Sequence, residues 1–257
     1  MHGNGSISLQ DAAEALKTGR GRGIKVAILD SGVEATNRRL SDLRLEDDVA
    51  IVDNGLRLQI LPGEARDLFG HGTAVCEIIH RLAPEAALGS FRVLGEQLHS
   101  RTAIIQEAAR LALERGYHIL NCSFGCGRRE HVLQYKAWID EAYLKNRHIV
   151  SACNNSDFRQ LEWPGHFPTV ISVRAVSSPD AETLYREEGN LVEFAAAGEG
   201  IEVAWVNNSR KKVTGSSFAA PHATGLLARL LSELPALNTL EAKSVLQKLA
   251  QPLASSP

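Results

Sequence analysis

The sequence is short of several things, and each shortage excludes a class of protein. Only 5% of its 257 residues are aromatic, and it has one methionine. Basic residues do not exceed acidic ones: 28 Lys and Arg stand against 30 Asp and Glu, a formal net charge of −2. A nucleic-acid binder ordinarily carries a basic face, so no nucleic-acid partner is expected. No apolar run approaches the roughly 20 residues that cross a bilayer, so no membrane partner is expected either. Met1-His2-Gly3-Asn4-Gly5-Ser6 lacks the basic start and apolar stretch of a secretory signal. Cysteine is sparse, with Cys76, Cys122, Cys126 and Cys153 alone, too few for a disulfide framework and expected as free thiols. Cys122-x-x-x-Cys126 has no second Cys or His pair at zinc spacing, so no metal site is expected. There is no Gly-x-x-x-x-Gly-Lys phosphate loop. Gly19-Arg20-Gly21-Arg22-Gly23 precedes a strand instead of opening a helix after one, and reads as a flexible lead-in. A cytoplasmic protein is the expectation.

What is present is a globular composition, 44% hydrophobic and 23% charged, ample for a sizeable core. Strand-like and helix-like segments alternate. Ile24–Leu29 is a short β-rich run ending at Asp30. Val75, Ile78, Ile79 and Leu82 then recur at helical spacing after His71 until Pro84 stops them. Strands are expected at Leu88–Leu94, His118–Cys122, His148–Ala152, Thr169–Val176 and Leu191–Ala195. Helices are expected around Ile104–Gly116 and Val132–Ala142, from Ser217 to about Leu231, and from about Thr239 to Ala250 behind an Asn238-x-x-Glu241 capping box. Such alternation predicts an α/β fold, a three-layer sandwich with a mostly parallel central sheet. No linker divides the chain, so 1–257 is read as one domain, with 1–23 an N-terminal extension and 232–257 a C-terminal helix and tail. Glu46-Asp47-Asp48 reads as a solvated loop. In such sheets ligands bind at the carboxyl ends of the strands, which picks out Asp30, Ser123, Asn154 and Asn155.

Three segments carry a coherent chemical signal: Val26-Ala27-Ile28-Leu29-Asp30-Ser31-Gly32, Gly70-His71-Gly72-Thr73-Ala74-Val75, and Thr214-Gly215-Ser216-Ser217-Phe218-Ala219-Ala220-Pro221-His222. They resemble the aspartate, histidine and serine motifs of the subtilisin-like serine proteases, the subtilases, with Ser216 where Thr is usual and Phe218 where Met is usual. The order Asp, His, Ser is the subtilisin order. Leu120-Asn121-Cys122-Ser123-Phe124-Gly125 resembles the strand that pairs with substrate. Ser151-Ala152-Cys153-Asn154 is similar to the segment whose Asn completes the oxyanion hole, and Trp163-Pro164-Gly165 to the segment behind the specificity pocket.

The resemblance implies a subtilisin-like fold and a serine endopeptidase acting on a peptide or protein substrate. Asp30, His71, Ser217 and Asn154 would be its catalytic groups, and Ser123, Phe124, Gly125 and Glu162 its substrate-binding residues. Glu162, with Asp157, would favour Lys or Arg at the cleaved residue. Arg81-Leu82-Ala83-Pro84 runs straight towards the next strand, so the family's calcium loop is expected to be absent and no cofactor is expected. With only 29 residues before Asp30, a small enzyme without a prosegment is expected, processing a peptide precursor. General intracellular proteolysis and a catalytically silent binding module are the competing readings.

Overall fold

The computed structural model describes residues 8–253. Its centre is β1 (Lys25–Asp30), buried throughout except at its first residue. β1 pairs in parallel with β4 (Ala87–Arg92) on one side and β5 (Ile119–Cys122) on the other. Beyond β4 lie β2 (Asp47–Asp53) and the antiparallel β3 (Leu58–Pro62). Beyond β5 come β6 (His148–Ala152), β7 (Ile171–Val176) and β9 (Phe194–Ala197), all parallel. Two-residue strands β8 (Tyr185–Arg186) and β12 (Gln251–Pro252) finish that edge. The result is a ten-stranded, mostly parallel sheet, the α/β architecture that the alternating pattern predicts.

Both faces are covered, as parallel strands require. Val26 and Ile28 of β1 join a core with α1 (Leu9–Thr18), α2 (His71–Leu82), α5 (Ser216–Glu233) and α6 (Thr239–Leu249). Ala27 and Leu29 join the opposite core, built with α3 (Thr102–Glu114) and α4 (Val132–Leu144) around Trp138 and Tyr135. The two-residue period of a strand therefore puts Asp30 on the side of α2 and α5. A separate hairpin, β10 (Ile201–Trp205) with β11 (Ser209–Val213), packs through Val203 and Val213 on α2 and on Phe218 of α5. Glu77, buried in mid-α2, fastens it: one carboxylate oxygen accepts from Ala204 N at 2.5 Å while the other pairs with Arg39.

The expected strands and helices stand within a few residues of their observed limits, and Asn238 and Glu241 make the capping box. Two expectations are corrected. Within the stretch read as an N-terminal extension, residues 8–23 join the domain: α1 buries Ala12 and Ala15 in the core against α5, and Gly19 ends α1 pressed on the Arg229 carbonyl. Glu46-Asp47-Asp48 is not a loose solvated loop. Asp47 and Asp48 open β2, where Asp47 binds Arg115 and Tyr117 and Asp48 accepts from Ala65 N, while Glu46 binds Lys25. The β2–β3 and β10–β11 hairpins are absent from the sequence reading altogether. No described helix is long and apolar enough to cross a membrane.

Candidate active site

Three elements bring the site together at the carboxyl end of the sheet. Asp30 is the last residue of β1, 1% exposed. His71 is the first residue of α2, and its Nδ1 lies 2.8 Å from Asp30 Oδ1. That oxygen also accepts from Ser31 N at 2.8 Å, while Asp30 Oδ2 is buried without a partner among the described residues. Gly72 makes the approach possible: a Cβ there would stand 2.1 Å from the Gly32 carbonyl and 3.1 Å from Asp30 Cβ. Any side chain would push α2 away from β1.

Electrostatics at His71 pull in two directions. Burial alone lowers an imidazole pKa, but the charge and hydrogen bond of Asp30, with a further contribution from Asp67, raise it above the usual value. The Phe218 ring lies against the other side of His71, centroids 5.0 Å apart.

Ser217 is the second residue of α5 and half-buried; the helix begins at Ser216, one residue before its expected start. Its carbonyl accepts from Ser123 Oγ at 2.9 Å, and Ser123 is steadied in turn by Asn121 Nδ2, whose other side-chain atom accepts from Thr224 of α5. The Ser123 hydroxyl is thus committed to holding the start of α5. Phe124 packs towards the α3–α4 core and Gly125 is exposed beside it. Both lie beyond the end of the β5 ladder, leaving an extended edge facing the site.

Asn154, expected to donate to an oxyanion, does not point at Ser217. Its Oδ1 caps a turn by accepting from Ser156 N and Asp157 N, and its Nδ2 donates to Glu162 Oε1 at 2.9 Å. Asn155 is the neighbour that lies beside Ser217. Asn155 Oδ1 accepts from Ser216 N at 2.7 Å, which turns Nδ2 towards the space above Gly215. Asn155 Nδ2 and Ser217 Oγ each lie 3.5 Å from the point where a Gly215 Cβ would stand. The physical reason is local. After β6 the chain makes an Asx turn, which consumes the first Asn and frees the second. The adjacent Asn-Asn pair in the sequence was the signal.

Glu162 approaches the extended edge from the other side: a Cβ on Gly125 would meet Glu162 Oε2 at 2.4 Å. Its only described side-chain partner is the neutral amide of Asn154, and no Lys or Arg pairs with it among the described residues. Asp157 turns away, its carboxylate accepting from Arg159 N. Backbone bonds between Cys126 and Trp163 tie the two walls together, and the Trp163–Pro164 peptide is cis. A groove of about 600 Å³ opens beside the ends of β2 and β4, lined by Leu68, Val93, Leu94, Gly95, His99 and Arg101. The cysteines are free thiols. Burial raises the pKa of Cys76, Cys122 and Cys153, keeping them neutral.

The subtilase family profile matches residues 21–256. Subtilisin DY of Bacillus licheniformis is 26% identical over 252 residues, covering 92% of this chain and 87% of that protein. Subtilisin BL of Lederbergia lenta is 24% identical over 247 residues, covering 92% and 86%. Among solved structures, a cold-adapted subtilisin-like serine proteinase superposes with a TM-score of 0.73 at 21% identity, over 90% of this chain and 83% of its own. Sphericase superposes at 0.74 with 24% identity, over 89% and 83%. Sequence match and fold agree: the chain belongs to the subtilase family of serine proteases, hydrolases that act on peptide bonds.

Proposed function

We propose that the protein is a serine endopeptidase whose chemistry is carried by Asp30, His71 and Ser217, with an oxyanion hole formed by Asn155 and the Ser217 amide. The supporting observation is the buried 2.8 Å Asp30–His71 bond facing the helix start that carries Ser217. A serine hydroxyl is a weak nucleophile at neutral pH, so it needs a base. His71 Nε2 takes the Ser217 proton as Oγ attacks the substrate carbonyl, while Asp30 holds the Nδ1 proton in place and stabilises the imidazolium. The carbonyl oxygen becomes an anion. Helix starts offer unpaired amides, and in α5 the Ser216 amide is taken by Asn155 and that of Phe218 by the Gly215 carbonyl. The Ser217 N–H remains for the oxyanion, with Asn155 Nδ2 as second donor. Collapse of the intermediate passes the proton from His71 to the leaving amine, and water repeats the sequence to release the acyl group.

The extended edge at Ser123-Phe124-Gly125 takes the substrate backbone as an added strand. Glu162 then gives the pocket beside Gly125 a preference for Lys or Arg at the cleaved residue, because its carboxylate is held by a neutral amide and has no Lys or Arg partner among the described residues. The four free thiols suit a reducing compartment, in keeping with a cytoplasmic enzyme that processes a peptide precursor. A fluorophosphonate probe tests the reading. It labels the folded protein at Ser217 and leaves Ser217→Ala unlabelled and inactive. An unlabelled native protein would instead be a silent member of the fold that binds peptides without cutting them.

A further inference from the structure

Asp67 lies four residues before His71 and is 8% exposed. Its carboxylate collects five hydrogen bonds. Oδ1 accepts from Ser31 Oγ at 2.7 Å, Gly70 N at 2.7 Å and Phe69 N at 2.9 Å. Oδ2 accepts from Thr73 N at 2.8 Å and Thr73 Oγ1 at 2.6 Å. No Lys or Arg pairs with it among the described residues. A buried carboxylate tolerates this only because donors surround it. α2 needs such a group, since its cap residue Gly70 has no side chain to offer its free amides.

The same carboxylate reaches the loop after Asp30. Ser31 Oγ is 2.7 Å from Asp67 but 3.3 Å from Asp30 Oδ1, so its single proton belongs to Asp67. Its lone pair then accepts from Gly72 N at 3.1 Å. Thr73 repeats the arrangement, giving its proton to Asp67 and accepting from Glu34 N at 2.9 Å. Leu68 N adds a bond to the Ser31 carbonyl. The loop that presents the acid and the helix start that presents the base are therefore cross-braced through one side chain.

We infer that Asp67 is a positioning residue for the reaction: through Ser31 and Thr73 it fixes the start of α2 against the end of β1, setting the Asp30–His71 distance. This rests on the proposed roles of Asp30, His71 and Ser217. Asp67 also places a second negative charge near His71. Asp30 from β1 and Asp67 are the charged groups acting on that ring, and α5 contributes the uncharged Phe218.

The test compares Asp67→Asn, Asp67→Glu, Ser31→Ala and Ser217→Ala in the full chain, with active sites counted by fluorophosphonate labelling. A shift of an ångström in a reacting group costs up to about 10²-fold, so Asp67→Asn is expected to lower kcat per labelled site by about ten- to a hundredfold with KM little changed. The acid limb of its pH–kcat/KM profile moves to lower pH, because one negative charge near His71 is gone. Asp67→Glu keeps the charge and so keeps the limb. Ser31→Ala removes one brace without touching the charge. Its kcat falls less, at unchanged limb and KM, and it carries the test should Asp67→Asn not fold. If Asp67→Asn loses only labelled sites, keeping kcat per site and the acid limb, or if Ser31→Ala leaves kcat unchanged, Asp67 merely supports the fold and the inference is overturned. Activity retained by Ser217→Ala would mark failure of the underlying reading instead.

Discussion

The assignment of Asn155 over Asn154 has a sharp experimental consequence. The two side chains are neighbours in sequence with different jobs, so paired substitutions separate them. In Asn155→Ala the Nδ2 donor facing the space beside Ser217 Oγ is removed, along with the Oδ1 acceptor that engages Ser216 N. Loss of one oxyanion donor lowers kcat by about 10²–10³, or about 2.7–4 kcal/mol of transition-state stabilisation. The ground-state carbonyl gains little from the same donor, so KM should change little. Ser216 is buried, so its amide loses its partner and stability should fall by about 1–3 kcal/mol. In Asn154→Ala the lost groups cap a turn and hold Glu162. Here kcat on a favoured substrate should stay within a few-fold, while discrimination among cleaved residues weakens. Steady-state kinetics on a fluorogenic peptide, normalised to titrated active sites, decides between them. A hundredfold loss of kcat in Asn154→Ala with Asn155→Ala near wild type would refute the assignment.

Further predictions concern charge and pH. Glu162→Gln should reduce the preference for Lys and Arg over Leu by about tenfold or more, since a hydrogen bond to a charged group contributes about 1.5–3 kcal/mol; a peptide library that is cut equally after Leu, Phe and Arg by the native enzyme would sink the idea. Because Asp30 and Asp67 outweigh burial and raise the His71 pKa, the half-point of the acid limb in kcat/KM should lie above 6.5, and a limb below that value contradicts the geometry. His148 and His222 run the other way: burial pushes both down to about 4. Their folded pKa values lie below the unfolded one, so they leave stability intact above about pH 6.5 and remove it as pH falls towards 4. Each should contribute about 2–3 kcal/mol of loss by pH 4.5. Denaturant midpoints at pH 7.5 and 4.5 measure the sum, and His148→Phe should flatten part of the slope.

The sequence was most legible where one residue type has one use. The alternation in Val26-Ala27-Ile28-Leu29 fixes which face Asp30 takes, and the three motifs name the elements that meet there. Legibility failed where side chains serve contacts distant in the chain. The basic run Arg210-Lys211-Lys212 conceals β11, and in its partner the alternation of Ile201, Val203 and Trp205 is short and serves α2 instead of the main sheet. α1 carries only a narrow apolar stripe, whose partner α5 lies some two hundred residues away in the chain. Asn154 and Asn155 are chemically identical, so only turn geometry could decide which one is consumed locally. Asp67 carried no motif, since its partners Ser31 and Thr73 declare themselves only once two loops are brought together.

The tether between Glu77 and the β10–β11 hairpin bears on how the enzyme fails when heated. The hairpin forms a two-stranded sheet of its own, outside the ten-stranded ladder, with its main apolar contact on α2 and Phe218. A two-stranded unit is marginal without such support, so it belongs among the parts that open first. Its departure would strand the buried Glu77 carboxylate without the Ala204 amide and loosen α2 midway along its length. Catalytic power should then fade at temperatures where the central sheet still gives its full far-ultraviolet signal. The operating ceiling of this protease would then be set by a small appendage and not by the collapse of its core.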